Sequence, residues 1–430
     1  MKHPAAQCQP RSGEAASPVA ALLCGLLAVV ALAGCGGAAA GGTTSSPSPS
    51  PVPAARIVIR PASGARAVAP DRPITVRVRH GHIVSVVATT GGTPVGGALN
   101  AAGTLWRSRT PLHVDARYAV WVKAVDAAGR TATRRTWFRT LAPTQTCSVE
   151  IFEAAGGTYG VGMPIILYFD RPVTDRRAVE RSLELRTSRR VVGAWYWDGD
   201  ATLYFRPRDY WPAGTTVRLV ARLDGVEVSP GVYATHDLTQ GFRIGEALIV
   251  VTDTQTHRCR VYRGHRLFAD WPMSSGRPGD DTPNGTYLTI DKGNPVEMKG
   301  PGYDMMVPWS VRFTWSGDFL HDAYWSVGEQ GYVNVSHGCV NLSPADAQTY
   351  YEMEVPGDPV TVRGSPRAGT WDNGWTVWFL SFKQLCAGSA LHEAVVAGQH
   401  GSVFVRPASL RPSRAKAPLH RPWANNAAAA

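Results

Sequence analysis

Residues 336–342 read Ser336-His337-Gly338-Cys339-Val340-Asn341-Leu342, and His321 lies eighteen positions before the cysteine. The nucleophile in cysteine chemistry is the thiolate, and a neighbouring imidazole can lower the thiol pKa or remove its proton. Gly338 has no Cβ, so the backbone can bend there and bring amide N–H groups close to a reacting carbonyl. His337 alternates with Cys339 in an extended segment, whereas His321 can approach the sulfur from a neighbouring strand. These residues at this spacing predict a catalytic cysteine with a histidine base.

Other interpretations of the same residues stay open at this point. A lone buried cysteine is usually a small hydrophobic residue, and two histidines with one cysteine can be three zinc ligands. The full string nevertheless resembles the signature of the L,D-transpeptidase family. That signature is a histidine, fourteen intervening residues, and then Ser-His-Gly-Cys, an apolar residue and Asn, as from His321 to Asn341 here.

The resemblance implies an acyl transfer between stem peptides of peptidoglycan, with no cofactor and no metal. Cys339 would attack a donor stem after its third residue, His321 would be the base, and the backbone carbonyl of Asp322 would orient His321. Family members carry a small polar residue in place of Asp322, so this position is a departure. The oxyanion would be met by the N–H groups of Gly338 and Cys339. The substrate-binding residues implied by the resemblance are Tyr303, Ser336, His337, Asn341 and Trp325.

Two further regions carry the same resemblance. Residues 272–279 and 282–287 form a glycine- and proline-containing double string that is similar to the family's second signature. Residues 298–324 are rich in large side chains, and in the family this region folds over the active site as a capping loop and hairpin. Tyr303 matches the tyrosine that faces the substrate there. Carbapenems resemble the acyl donor and acylate this family.

Length and charge limit the possible classes of protein. A chain of 430 residues is too long for one ordinary core, and its net charge of +11 would suit nucleic acid, anionic lipid or an acidic wall polymer. Because the basic residues are scattered and form no nucleic-acid motif, we expect no nucleic-acid partner. The predicted partners are peptidoglycan stem peptides.

The N-terminus indicates export and a lipid anchor. Lys2 and Arg11 precede an apolar run over residues 19–32, which is short for a membrane span. The run leads to Leu32-Ala33-Gly34-Cys35, which resembles a bacterial lipoprotein processing site with Cys35 as the lipidated residue. A plain secretory signal is the alternative. We therefore expect a cell-envelope protein held by lipid on the outer face of the cytoplasmic membrane.

The seven cysteines do not form a disulfide scaffold. Cys8 and Cys24 would leave with the signal, Cys35 would carry lipid, and Cys339 must be free if it is catalytic. At most one disulfide can then form among the three that remain, which are Cys147, Cys259 and Cys386.

The predicted fold is mainly β, with two immunoglobulin-like β-sandwich modules followed by a β-sandwich-like catalytic domain that carries one helix. After a signal at 1–35 and a Gly/Ser/Pro spacer at 36–54, the modules cover 55–141 and 142–245. Residues 164–169 repeat the strand pattern of 73–78, which suggests a tandem duplication. The catalytic domain covers 246–364, an extension that packs on it covers 365–395, and a disordered tail covers 396–430. Ser343 is the predicted N-cap of the helix, which should run to about Met353.

Three competing functions use the same sequence. A hydrolase would accept water instead of an amine, a zinc enzyme would use the histidines as ligands, and a wall-binding protein would keep only a relic site. Papain-like peptidases fit less well, because their cysteine precedes their histidine. Neither module shows a catalytic constellation, so both are expected to act as a stalk. A chain starting near Glu246 should then fold alone.

Overall fold

A computed structural model describes residues 52–109, 111–300 and 302–410 of the chain. The described residues are mostly β-strands, with three short α-helices, which confirms the predicted class. The predicted signal segment, Cys35, residues 36–51 of the spacer and residues 411–430 of the tail lie outside the described residues. No helix in the described part is long and apolar enough to span a membrane.

The first module is a sandwich of two four-stranded sheets, in the orders β1-β2-β6-β5 and β4-β3-β7-β8. Apolar and polar residues alternate along the strands, so one face of each sheet is buried. In β7, for example, Tyr118 and Val120 face the core whereas Trp121 faces outward. The strands are β1 (Arg56–Arg60), β2 (Thr75–Arg79), β3 (His82–Thr90), β4 (Thr93–Pro94), β5 (Gly97–Leu99), β6 (Leu105–Ser108), β7 (Arg117–Val125) and β8 (Thr131–Arg139).

The second module repeats this arrangement. Its strands β10-β12-β15-β14 pair in the same antiparallel order as β1-β2-β6-β5, and β13-β16-β19 pair as β3-β7-β8 do. The strand order thus agrees with the duplication that the sequence predicts. The elements are β9 (Gln145–Cys147), β10 (Val149–Ile151), β11 (Thr158–Tyr159), β12 (Ile165–Phe169), α1 (Arg176–Arg181), β13 (Leu183–Thr187), β14 (Val191–Asp198), β15 (Thr202–Pro207), β16 (Thr216–Ala221), β17 (Glu227–Ser229), β18 (Val232–Ala234) and β19 (Leu238–Ile244).

The third domain is built from a five-stranded sheet, β22-β21-β20-β30-β23, and a four-stranded sheet, β24-β27-β28-β29. A separate hairpin is formed by β25 and β26. The elements are β20 (Leu248–Asp253), β21 (Arg258–Arg263), β22 (Arg266–Pro272), β23 (Gly285–Leu288), β24 (Lys292–Gly293), β25 (Val296–Gly300), β26 (Tyr303–Val307), β27 (Ser310–Arg312), β28 (Phe319–Asp322), the 3₁₀ helix Tyr324–Ser326, β29 (Val340–Leu342), α2 (Pro344–Met353) and β30 (Pro359–Arg363).

Helix α2 begins where the sequence predicts. The Ser343 hydroxyl accepts a hydrogen bond from the Asp346 N–H at 3.2 Å, and Pro344 occupies the first turn. The helix ends at Met353, also as predicted. It packs on β28, so it supports the strand that carries His321.

The C-terminal segment differs from the prediction. It contains the 3₁₀ helix Val377–Phe379, α3 (Phe382–Ala387), β31 (Ala394–Gly398), β32 (Gly401–Val405) and the 3₁₀ helix Pro407–Ser409. The expected disordered tail from residue 396 is therefore wrong up to residue 410. The reason is that β31 pairs with β14 on one side and β13 on the other, which joins the second module's strands into one ten-stranded sheet.

The extension also packs on more than the third domain. One buried cluster combines Met163, Ile166 and Ala194 of the second module with Leu288 of the third domain and with six residues of the extension, namely Trp375, Val377, Trp378, Leu385, Cys386 and Ala394. The second module and the third domain thus share a core through this segment. Cys147, Cys259, Cys339 and Cys386 are all unpaired.

Candidate active site

His321 and Cys339 meet because their strands are parallel neighbours. Strand β28 pairs with β29 so that His321 lies opposite Asn341. Side chains alternate along a strand, so Cys339, two residues before Asn341, points to the same face as His321. Both line one pocket of about 360 Å³. The prediction that His321 lies on a neighbouring strand is confirmed.

His321 is oriented by the backbone carbonyl of the next residue, Asp322. Its Nδ1 lies 2.7 Å from the carbonyl oxygen of Asp322, as the family resemblance implies. A carbonyl only accepts, so Nδ1 carries the proton and Nε2 keeps a lone pair for a donor in the pocket. The ring is 3 % exposed, and burial lowers the pKa of His321 to about 4. The imidazole is therefore neutral at physiological pH.

Cys339 is a thiol in the resting site. Burial and the nearby charge of Asp318 raise the pKa of Cys339 to about 12. Its Sγ–H donates to the carbonyl of Gly317 over 3.7 Å. Since the imidazole is neutral as well, the resting pair is a thiol and an imidazole and not an ion pair.

The turn before the cysteine requires a glycine and is held by several hydrogen bonds. Gly338 has φ of +129°, and a Cβ there would lie 2.4 Å from the Asp318 carboxylate, so only glycine fits. The Ser336 hydroxyl donates to the Cys339 carbonyl at 2.6 Å and accepts from the Gly338 N–H at 3.1 Å. The Thr282 hydroxyl donates to the Gly338 carbonyl at 2.6 Å. Because the Gly338 N–H is already bonded to Ser336, the expectation that it meets the oxyanion is corrected.

The two sequence signatures lie against each other. The Ser274 N–H donates to the Asn341 carbonyl at 3.1 Å, and the Asn341 N–H donates to the Ser274 carbonyl at 2.8 Å. The Arg277 N–H donates to the Ser336 carbonyl at 2.9 Å. The Asn341 side-chain amide donates to the Ser326 hydroxyl at 2.9 Å, so Asn341 holds the loop. The double string of residues 272–287 therefore braces the cysteine turn.

The pocket walls come from the hairpin and from the loop after His321. Met298, Tyr303 and Met305 of the β25–β26 hairpin line the pocket, so the predicted cover is present. The Tyr303 ring lies 4.8 Å from the His337 ring, centroid to centroid. Trp325 stacks near His321 at 5.9 Å and is 42 % exposed, which leaves its surface for a ligand.

Asp318 is one of the site residues that the sequence did not indicate. Its carboxylate accepts from the hydroxyls of Thr314 at 2.7 Å and Ser316 at 3.2 Å and lies against Gly338. Burial raises the pKa of Asp318. The only available signal was its place directly before the strand that carries His321, and that is too general to identify a role.

The carboxyl group of Asp322 does not contact the imidazole through any hydrogen bond in the described residues. Its Oδ1 is buried without a partner there, and burial raises the pKa of Asp322. The departure at this position therefore leaves the carbonyl role intact. Within the described part of the chain, no three His, Cys, Asp or Glu side chains are grouped so as to hold a metal ion.

Comparison with known proteins identifies relatives over most of the chain. A family model of the L,D-transpeptidase catalytic domain matches residues 247–362, and a bacterial Ig-domain model matches residues 65–227. L,D-transpeptidase 5 of Mycobacterium tuberculosis is 35 % identical over 373 residues, which is 82 % of this chain and 82 % of the relative. L,D-transpeptidase 2 of the same species is 31 % identical and covers 73 % of this chain and 82 % of its own length. A solved L,D-transpeptidase in complex with imipenem is 36 % identical, covers 51 % of this chain and 100 % of its own, and superposes with a TM-score of 0.44.

Proposed function

The chain belongs to the L,D-transpeptidase family, and from that premise we propose that Cys339 is the nucleophile and His321 the general base. The enzyme forms 3→3 cross-links in peptidoglycan through a cysteine acyl-enzyme, and it acts in the cell envelope. The observation that carries the assignment is the 2.7 Å contact between His321 Nδ1 and the Asp322 carbonyl. That contact fixes the tautomer whose Nε2 can accept the thiol proton within the same pocket.

In the first half-reaction, sulfur attacks the carbonyl after the third residue of the donor stem. The Cys339 proton moves to His321 Nε2 as the S–C bond forms. When the tetrahedral intermediate collapses, the C–N bond breaks and the imidazolium returns the proton to the departing amine. A terminal D-amino acid leaves, and a thioester remains. Since the resting groups are both neutral, proton transfer accompanies attack and does not precede it.

The oxyanion needs donors other than the Gly338 N–H. We assign the Cys339 N–H and the Tyr303 hydroxyl, because Tyr303 lines the pocket beside the sulfur and cysteine is the next residue of the same turn. His337 would hold Tyr303 in place through their ring contact. Trp325 would cover the donor stem on the His321 side.

In the second half-reaction, the side-chain amine of an acceptor stem attacks the thioester. His321 accepts a proton from that amine, the C–S bond breaks, and the thiol is restored. One amide is exchanged for another, so no energy source is needed. Water in place of the amine would give hydrolysis with the same residues.

The decisive experiment is intact mass spectrometry after incubation with imipenem. Cys339 should gain one adduct, and Cys339→Ala should gain none. Incubation with a tetrapeptide stem, with and without an acceptor amine, then separates cross-linking from hydrolysis by product mass. Labelling at Cys147, Cys259 or Cys386 would overturn the assignment of the nucleophile.

The roles of the two histidines are distinguished by the acylation rates of their alanine variants. His321→Ala should slow imipenem acylation at least about tenfold more than His337→Ala, because a general base typically contributes a factor of 100 or more, roughly. The reverse order would make His337 the base.

The pH dependence tests the neutral resting pair. The pKa of His321 is lowered to about 4 and that of Cys339 is raised to about 12. Between these values the base is available and the thiol keeps its proton, so the acylation rate should be flat from about pH 5.5 to 9 and fall only below that range. A tenfold rise per pH unit would instead indicate attack by free thiolate, and an acid limb near neutrality would indicate an ion pair.

We also propose that Cys35 carries a lipid anchor, supported by Leu32-Ala33-Gly34-Cys35. Cys35→Ala should leave the membrane fraction of cells and keep its acylation by imipenem. Retention in the membrane fraction would exclude lipid at this position as the anchor.

A further inference from the structure

One face of the first module exposes large aromatic side chains to solvent. On the outer side of sheet β4-β3-β7-β8, Trp121 is 61 % exposed, Val87 is 55 % exposed and Trp137 is 39 % exposed. Val87, Trp121 and Arg135 lie opposite one another across β3, β7 and β8, and Trp137 lies in the adjoining row. Exposed apolar groups that cluster on a soluble protein usually mark a binding surface.

The same face is uniformly basic. Its outward positions carry Arg117, Lys123, Arg135 and Arg139, and none of the residues of β3, β7 and β8 is an aspartate or glutamate. The Arg117 guanidinium lies 5.0 Å above the Trp137 ring, where it stays near solvent while it holds the ring. Of these four cations, only Arg139 has an acidic partner among the described residues, Asp115 at 2.7 Å. The face therefore combines flat apolar rings with unneutralised positive charge.

We propose that this face, which we call the tryptophan face and define as Val87, Trp121, Arg135, Trp137 and Arg117, binds an anionic polysaccharide. Tryptophan rings present a flat apolar surface to the C–H face of a sugar ring. Arginines bind carboxylates through paired N–H donors. A strand of sugars with carboxylate-bearing substituents fits both features.

The occupant is the glycan strand of peptidoglycan with its attached stems, a choice that rests on the proposed function. A membrane surface fits less well, because Ser85 and Thr133 stand in the next row and their hydroxyls would lose water without gaining partners among acyl chains. A second copy of the same face would bring cations against cations. The hydroxyls of Ser85 and Thr133 can instead hydrogen-bond to sugar hydroxyls.

The outer face of the other sheet of the first module is a control for the effect of charge alone. It carries Arg77, Arg79 and Arg107, all exposed, and no exposed tryptophan. Removing two charges there changes the net charge of the protein as much as removing two from the tryptophan face. If charge alone drove binding, both pairs would matter equally.

The experiment uses the full chain with Cys339→Ala as background, so that the substrate is not turned over. Binding is measured to insoluble peptidoglycan stripped of covalently attached polymers, and in parallel to vesicles of anionic phospholipid. We expect Trp121→Ala to weaken peptidoglycan binding at least about fivefold, and Trp121→Phe to keep most of it. Arg117→Gln with Arg135→Gln should weaken binding and flatten its salt dependence, whereas Arg77→Gln with Arg107→Gln should change it less than twofold, roughly.

Several outcomes would overturn the proposal. These are unchanged binding by Trp121→Ala, equal losses from the two arginine pairs, and a preference for vesicles that Trp121→Ala removes. Circular dichroism and chemical denaturation of Trp121→Ala should match those of the parent chain, which shows that the first module of the variant is folded. A parent chain that binds peptidoglycan but is not acylated would refute the catalytic assignment and leave the tryptophan face standing.

Discussion

The first and second modules place equivalent strands in the same order, yet the first exposes two tryptophans, besides the buried Trp106, and the second exposes none among its described residues. In the first module, Trp121 and Trp137 face solvent. In the second, Trp195, Trp197 and Trp211 are each 5 % exposed or less. The sheets of the two modules also differ. Those of the first module remain separate, whereas β31 joins those of the second into one.

The difference between the sheets arises from the C-terminal segment. It returns from the third domain and adds β31 and β32 to the second module, and its Trp378 donates to the Gly162 carbonyl at 2.7 Å. The Arg206 guanidinium lies 4.2 Å above the Trp378 ring and donates to the Leu380 carbonyl at 3.0 Å. The same fold thus serves as an independent module in one place and as part of the catalytic body in the other.

The largest expected effect comes from deleting the modules one at a time. A chain that starts near residue 142 should fold and be acylated by imipenem like the parent chain. A chain that starts near Glu246 should be insoluble or unfolded, because it exposes the shared cluster around Trp378 and leaves β31 without either neighbour. Intact mass after imipenem and circular dichroism measure both properties.

The two truncated chains test the stalk hypothesis for each module separately. Full acylation of the chain from Glu246 would show that the second module is also a stalk. Loss of acylation in the chain from residue 142 would show that the first module supports the active site.

The next effect concerns one residue of the shared core. Trp378→Ala should lower the free energy of unfolding by about 3–5 kcal/mol, since it leaves a cavity and removes the partner of the Gly162 carbonyl and the Arg206 ring contact. Trp121→Ala, the same substitution on an exposed side chain of the first module, is the matched control and should change stability by less than about 0.5 kcal/mol. Chemical denaturation measures both. Equal losses of stability in Trp378→Ala and Trp121→Ala would contradict the claim that the second module shares a core with the C-terminal segment whereas Trp121 of the first module is exposed.

Local patterns in the sequence were enough to predict the two modules and the third domain. Period-two alternation indicates strands such as β7 and β12, and repetition of residues 73–78 at 164–169 indicates the duplication. The position of β31 could not be predicted, because it depends on pairing with β13 across about two hundred residues of chain. The Pro, Arg and Ala content that suggests a tail begins only at about Arg406, so it gave no information about β31 and β32.

The candidate site also has features that could be predicted from the sequence and features that could not. Cys339, His321 and the carbonyl of Asp322 could be named beforehand, because they match the motif of the family that the sequence resembles, and the contact between His321 and Asp322 is local in the chain. The role of Thr282 and the proximity of Asp318 do not follow, because they depend on how one loop packs on another. The same packing engages the Gly338 N–H, which sequence reasoning had left free.

A buried acid in the second module gives the third effect. Glu153 is fully buried, accepts from the Ile166 N–H at 3.2 Å, and burial raises its pKa from 4.5 to about 8. The folded chain therefore binds this proton more tightly than the unfolded chain, so the stabilisation is complete below about pH 4.5 and is lost as pH rises to 8. The loss between pH 5 and 8 should be on the order of 3 kcal/mol.

Glu153→Gln should remove that slope and stabilise the chain at pH 8, while Glu150→Gln, at an exposed position of β10, should not. Denaturation at several pH values measures the slope. A parent chain whose stability rises between pH 5 and 8, with no change in Glu153→Gln, would contradict a protonated Glu153.

The smallest effect lies at one of the contacts between the two modules. His113 Nδ1 lies 2.5 Å from the Asp224 carboxylate, but the His113 side chain is 49 % exposed, so water and salt screen the pair. A double-mutant cycle of His113→Ala and Asp224→Ala should give a coupling energy below about 1 kcal/mol, and acylation by imipenem should be unchanged in all three variants. Weak coupling is what an independent first module requires, since a strong link would join it to the catalytic body as β31 joins the second. A coupling above about 2 kcal/mol, lost in high salt, would mean that the first module is held in a fixed orientation and that the tryptophan face is presented at a fixed angle to the active site.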